Sequence, residues 1–339
     1  MAAIRKQAKR ASLGSHRRSA TTARLIEEGP VQNNMPVLEL QRYIAECAAR
    51  ISPTNAAKLG EFNSEKGVAI EFTDDKKFSI RVNLATNTIK LPVGALNYLW
   101  CASHLFIALY QAYVAAQAEG KPSLDTGGDV ATSAAVDLFN WASVDLIVGN
   151  LEWPANGPRP SLAHQQGDLI HLTNEIFLAA LAWILHHERA HIELEHPGGS
   201  QGAESIRQER DADRSASEWV MAGCANEVER QKRAFGIATG LLAMTLLDSP
   251  KLQIPEVKSH PPDIERLLDN LDVAQLGHEN IVYSYSFVVL QFCIGQYDLK
   301  QAESNGVAEE SVPTLEGMFR ELAVRYHTRH RGEDPKRNR

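Results

Sequence analysis

The chain alternates apolar and polar positions in only one short region. Elsewhere its apolar residues follow helical spacing or form solid runs. Positions 67–72, 78–84 and 88–91 are rich in β-branched and aromatic residues and are separated by Asp74-Asp75-Lys76 and Ala85-Thr86-Asn87. They predict three strands of a small antiparallel meander that Pro92 ends. Helical patterns cover 37–50, 95–118, 130–148, 174–196, 203–223, 228–247, 264–271, 281–299 and 314–326, with Gly- and Pro-bearing loops at 120–128 and 153–167. Residues 176–185 (IFLAALAWIL) are all apolar, which reads as a helix buried nearly all round. Thr173 or Asn174 can cap its start, and Pro197-Gly198-Gly199 can stop it. The fold class expected is mainly α (α+β): a helical body with a small antiparallel β section near the N-terminus.

With 339 residues the chain can bury a substantial core. We read 35–327 as a single domain, flanked by basic disordered tails at 1–34 and 328–339. A composition of 44% hydrophobic and 23% charged residues is that of a soluble globular protein, and a net charge of −7 excludes polyanion binding by the chain as a whole. The tails carry Arg5, Lys6, Lys9, Arg10, Arg17, Arg18 and Arg24 at one end and Arg325, Arg329, Arg331, Lys336, Arg337 and Arg339 at the other. They are read as solvated rather than as a nucleic-acid surface. The first residues lack the apolar core of a secretory signal. The apolar runs 176–185 and 236–247 fall short of the ~20 residues that span a bilayer, so no membrane span is expected. Cys47, Cys101, Cys224 and Cys293 form no CxxC and read as reduced core residues of a cytoplasmic protein.

The chemistry concentrates in His187-Glu188-Arg189-Ala190-His191, an HExxH match. Histidines four apart on a helix lie about 40° apart on one face, so both imidazoles can reach one metal. Glu188 sits between them and can act as base towards an activated water. Two histidines and a carboxylate at the end of an apolar helix are expensive to bury without partners. Catalytic zinc usually has three protein ligands and an open position. Glu209 is the best third ligand, with Glu204, Asp211 and Glu218 as fallbacks. Asp213, four residues after Glu209, suits the carboxylate that fixes a ligand histidine's tautomer. The alternative is that these acids are solvated or pair with Arg207, Arg210 or Arg214. A metzincin site is disfavoured, because His196 is one residue off the register of its third histidine.

HExxH followed by Glu209-Arg210-Asp211-Ala212-Asp213 resembles the gluzincin metallopeptidases. Ser259-His260-Pro261-Pro262-Asp263-Ile264-Glu265-Arg266-Leu267 is similar to the His-Pro…Arg segment of membrane gluzincins of the HtpX and CAAX-protease kind. Among soluble gluzincins the chain looks most like the phage-exclusion Lit peptidase family. That resemblance implies a zinc endopeptidase with Zn2+ on His187, His191 and Glu209, catalytic Glu188, and His260 as oxyanion donor. Arg266 either pairs with a carboxylate near the site or lies on a helix surface. The resemblance also implies a substrate strand beside the zinc helix, a protein or peptide substrate such as elongation factor Tu, and an activating partner. Two other classes stay open: a nucleic-acid-binding regulator with a structural metal site, and an inactive protease scaffold.

Overall fold

The structure is a computed structural model that describes residues 35–74, 78–121, 124, 126–150, 152–247, 263–298, 316, 317, 320 and 321. The two basic tails, His260 and most of the helix expected at 314–326 lie outside the described residues.

The architecture is mainly α with one small sheet. Among the described residues the helices are α1 (Gln41–Ile51), α2 (Ala56–Lys66), α3 (Val93–Ala118), α4 (Val130–Trp141), α5 (Leu169–Glu193), α6 (Gly202–Met221), α7 (Glu227–Leu247), α8 (Asp263–Ala274) and α9 (Ile281–Asp298). The strands are β1 (Ala69–Thr73), β2 (Arg81–Asn83) and β3 (Thr88–Pro92). Helix α5 is the hub, packed by α1, α3, α6 and α7 and approached by β2 and β3. Its contact with α7 is close because small residues meet there. A Cβ on Gly236 would lie 2.6 Å from Ala179 Cβ, and one on Gly240 would lie 3.3 Å from the Trp183 ring.

Helices α3 and α5 are long and apolar enough to cross a membrane by length and composition alone. Both are core helices: 67% of each apolar stretch is buried within the protein. Cys47 and Cys101 are buried free thiols. Burial pushes Cys47 up to about 12 and Cys101 well above its ordinary value, so neither forms a reactive thiolate.

Three elements differ from the sequence expectation. The sheet is not an antiparallel meander. Its order is β1-β3-β2, with β1 parallel to β3 and β2 antiparallel to it. Strand β3 carries the buried Ile89, Leu91 and Pro92 and takes the centre, while β2, bearing Arg81 and Asn83, is an edge. Helix α2 was not expected. It buries little besides Leu59, so its periodicity is faint, and tertiary contacts hold it, including Phe62 beneath the Arg189 guanidinium. Helix α5 begins at Asp168 rather than at Thr173 or Asn174. The Asp168 carboxylate accepts from the His171 N–H at 2.8 Å, a side-chain cap one turn earlier than expected. Thr173 and Asn174 are inside the helix. Asn174 Oδ1 accepts from Trp100 Nε1 at 2.8 Å, and Thr173 donates to Leu169 O at 2.7 Å.

Candidate active site

Glu188 and the histidines beside it occupy the C-terminal turns of α5, where the apolar run ends but burial does not. His186, His187, Glu188 and Arg189 are all buried. Each of the four finds a different support. His186 Nε2 is 2.9 Å from Ala48 O on α1. Arg189 lies over the Trp219 ring, 3.9 Å from its centroid, with Phe62 on its other flank at 5.1 Å. His187 turns towards Glu209 and Asp213 on α6, and Glu188 towards the Val82 amide on β2.

Helix α6 packs against α5 through Ala212, Ala216 and Val220, and this packing delivers Glu209 and Asp213 to α5. Glu209 Oε2 lies 3.3 Å from His187 Nε2, and its Oε1 lies 3.6 Å from His191 Nε2. The two Nε2 atoms are 3.2 Å apart. Their ligand-capable atoms all lie within 4.8 Å of one another, so His187, His191 and Glu209 can hold a metal ion. The donor set suits a cation, since two imidazole nitrogens facing one another need a shared proton or a positive ion between them. Behind this group, Asp213 Oδ1 is 2.8 Å from His187 Nδ1. Arg266 on α8 grips the same carboxylate, with Nε donating to Oδ2 at 2.7 Å and Nη2 to Oδ1 at 2.8 Å.

Burial raises Glu188 to about 7, against the pull of His187 and of the Val82 amide. Burial alone would lower His187, but Asp213 and Glu209 beside its two nitrogens outweigh it and hold the ring up at about 10. Burial, together with the neighbouring His187, pushes His191 down to about 4. Asp213 is held well below the usual carboxylate range, because Arg266 and His187 overcome its burial. The site thus keeps a positive charge on His187 between two acids, in the place where a metal would replace a proton.

Glu204 and Asp211 are exposed and near Arg207, and Glu218 is also exposed, so none of the fallback ligands reaches the site. Arg207 and Arg210 pair with Glu204 and Glu265, not with Glu209 or Asp213. Arg266 is the partner of Asp213 and is not a surface residue.

Two features escaped the sequence. The Val82 N–H on β2 donates to Glu188 Oε2 at 2.6 Å, and no side-chain pattern marks a backbone donor. A buried polar ladder also ties α5 and α6 to α8. Trp183 Nε1 donates to Ser217 Oγ at 2.9 Å, Ser217 Oγ to Asn270 Oδ1 at 2.5 Å, and Asn270 Nδ2 to Arg266 O at 2.7 Å. Its members are scattered over three helices.

The model of one protein family, Peptidase U49, matches residues 89–286. The chain belongs to the peptidase U49 family. That span runs from β3 into α9 and contains the whole His187, His191, Glu209, Asp213 and Arg266 constellation. A curated relative, "Cell death peptidase" of Escherichia coli (strain K12), is 31% identical over 263 residues, covering 76% of this chain and 88% of that protein. These matches bear out the resemblance to the Lit peptidase family and make the chain a peptidase. No solved structure matches the chain.

Proposed function

We propose that this peptidase U49 member is a zinc-dependent endopeptidase of gluzincin type. The single observation that carries the reading is the meeting of His187 Nε2, His191 Nε2 and the Glu209 carboxylate within 4.8 Å, beside a buried glutamate of the same HExxH. Two nitrogens and one carboxylate are a catalytic donor set with a position left over, unlike the closed four-ligand set of structural zinc. This favours an enzyme over a regulator with a structural metal.

In this reading His187, His191 and Glu209 hold the ion. Bound zinc supplies a water of lowered pKa and a polarised scissile carbonyl. Glu188 takes the water proton and passes it to the leaving amine. A carboxylate with its pKa near 7 is well placed to take a proton and to return it. Asp213, itself fixed by Arg266, orients His187. The donor to the developing oxyanion falls to His260, the role the resemblance implies.

The substrate is a protein or peptide. The narrower reading, a cytoplasmic phage-exclusion enzyme that acts on a translation factor once a partner activates it, follows from the resemblance to the Lit peptidase family; the relative's name adds only that it is a cell death peptidase. Metal analysis of protein purified without chelators tests the core of the proposal. We expect one zinc per wild-type chain, and none in His191→Ala or Glu209→Ala. A metal-free wild type would sink it.

A further inference from the structure

Helix α5 does not end on Pro197. Its last residue is Glu193, four before Pro197, and the turn that follows carries His196 back to the site. The His196 N–H donates to His191 O at 3.1 Å and the Glu195 N–H to Ile192 O at 3.2 Å, with Glu195 in the left-handed region at φ 52. This is the paired closure of a Schellman motif. In that motif the side chain of the last residue folds over the residue that opens the final turn, usually as an apolar contact. Here those two residues are His196 and His191. Their Nδ1 atoms are 2.9 Å apart, with ring centroids 5.0 Å apart and planes at 69°.

His191 presents Nε2 to His187 and Glu209, so Nδ1 is its outward nitrogen. We infer that His196 is a positioning residue for the metal site: its Nδ1 accepts the Nδ1–H of His191 and holds the Nε2 lone pair on the metal. The inference rests on the zinc reading above. A ligand histidine usually donates its second N–H to a carboxylate, a carbonyl or water. His187 has Asp213 for this, and the capping turn brings His196 to His191. An apolar side chain would close the helix equally well, whereas a polar one aimed at the ring of a ligand also sets that ring's tautomer and plane.

The experiment is a zinc competition titration against a chromophoric chelator, run on the full-length chain as wild type, His196→Ala, His196→Asn and His187→Ala. Loss of the acceptor should weaken zinc binding about ten- to hundred-fold in His196→Ala. His196→Asn, which keeps an acceptor oxygen near the Nδ1 position, should recover most of that loss. The thermal midpoints of the metal-free proteins should stay together, and the visible spectrum of the cobalt-substituted His196→Ala should differ from wild type. Wild-type affinity in His196→Ala overturns the inference. So does a His196→Asn that binds as weakly as His196→Ala, since the ring would then act by packing alone. Zinc bound by wild type and lost in His187→Ala, with His196→Ala unchanged, overturns this inference and leaves the proposed function standing. No zinc on the wild type overturns both.

Discussion

Arg266 holds Asp213 through two hydrogen bonds of 2.7 and 2.8 Å, in a place where the two side chains are only 4% and 3% exposed. The pair joins α8 to the site, because the same carboxylate reaches His187. Removing the cation leaves a charge buried without its guanidinium partner, a change that costs about 3–5 kcal/mol. Arg266→Met should therefore lose stability of that order in urea unfolding. Arg266→Met with Asp213→Asn should recover most of it, because a buried pair replaced by neutral groups is often nearly neutral. Zinc affinity should stay low in the double variant, since His187 loses its anionic partner. Equal stability for Arg266→Met and wild type would show that the pair is solvated in solution.

Glu188→Gln keeps the side chain's size and its buried position but cannot take a proton. Peptidase activity should fall by about 10²–10⁴-fold while the metal content stays at the wild-type level. Parallel assays of cleavage and bound zinc check this. Cleavage within a factor of about two of wild type would remove Glu188 from the base role, since a positioned base is worth far more than that.

Removing the metal should also destabilise the folded chain, since a ligand held only by the native state adds stability through its binding free energy. Wild-type protein should melt at a lower temperature after chelation and recover when zinc is restored. His191→Ala should melt at the same temperature with or without chelator. A chelator shift in His191→Ala as large as that of the wild type would place the stabilising metal elsewhere.

Gly236 tests the packing of α5 on α7. In an exposed helix, Gly→Ala gains up to about 1 kcal/mol from propensity. Here the added methyl would sit 2.6 Å from Ala179 Cβ and 2.8 Å from its carbonyl carbon, and backbone cannot swing aside. Overpacking of this kind costs about 1–3 kcal/mol, so Gly236→Ala should be destabilising on balance, read as a lower urea midpoint. A raised midpoint would mean that the two helices separate easily.

His104 predicts a pH dependence of stability. It is 1% exposed, stacked on Trp100, and burial lowers it from 6.5 to about 4. Its folded pKa lies below its unfolded one, so the unfolded chain binds the extra proton between those values. Stability from the neutral ring is full above about pH 6.5 and falls as pH drops towards 4, by up to about 1.4 kcal/mol per pH unit. His104→Phe should flatten the urea-midpoint profile between pH 6.5 and 4.5 relative to wild type. Parallel profiles would show that His104 is protonated in the fold or reached by water.

Much of the site was legible because its spacings are local. His187 and His191 share a face by helix geometry alone, and so do Glu209 and Asp213. The apolar run 176–185 announced a central helix because no other arrangement hides ten consecutive apolar residues in a chain of this composition. The acids were ambiguous in sequence, with Arg207, Arg210 and Arg214 equally near them. The fold separated them by burying the face of α6 that carries Asp213 and leaving Glu204, Asp211 and Glu218 outside.

The amino-acid sequence by itself determined the helical class, the pair of metal-capable histidines, the glutamate between them and the peptidase family, because each is written in short-range order. Only the tertiary structure decided the rest. It placed β3 rather than β2 at the centre of the sheet, formed α2 from a faintly patterned segment, aimed the Val82 amide at Glu188, chose Arg266 as the partner of Asp213 and folded His196 onto His191. Those outcomes depend on burial and backbone direction shared between segments far apart in the chain. The last also depends on a left-handed residue, Glu195, that no glycine announces.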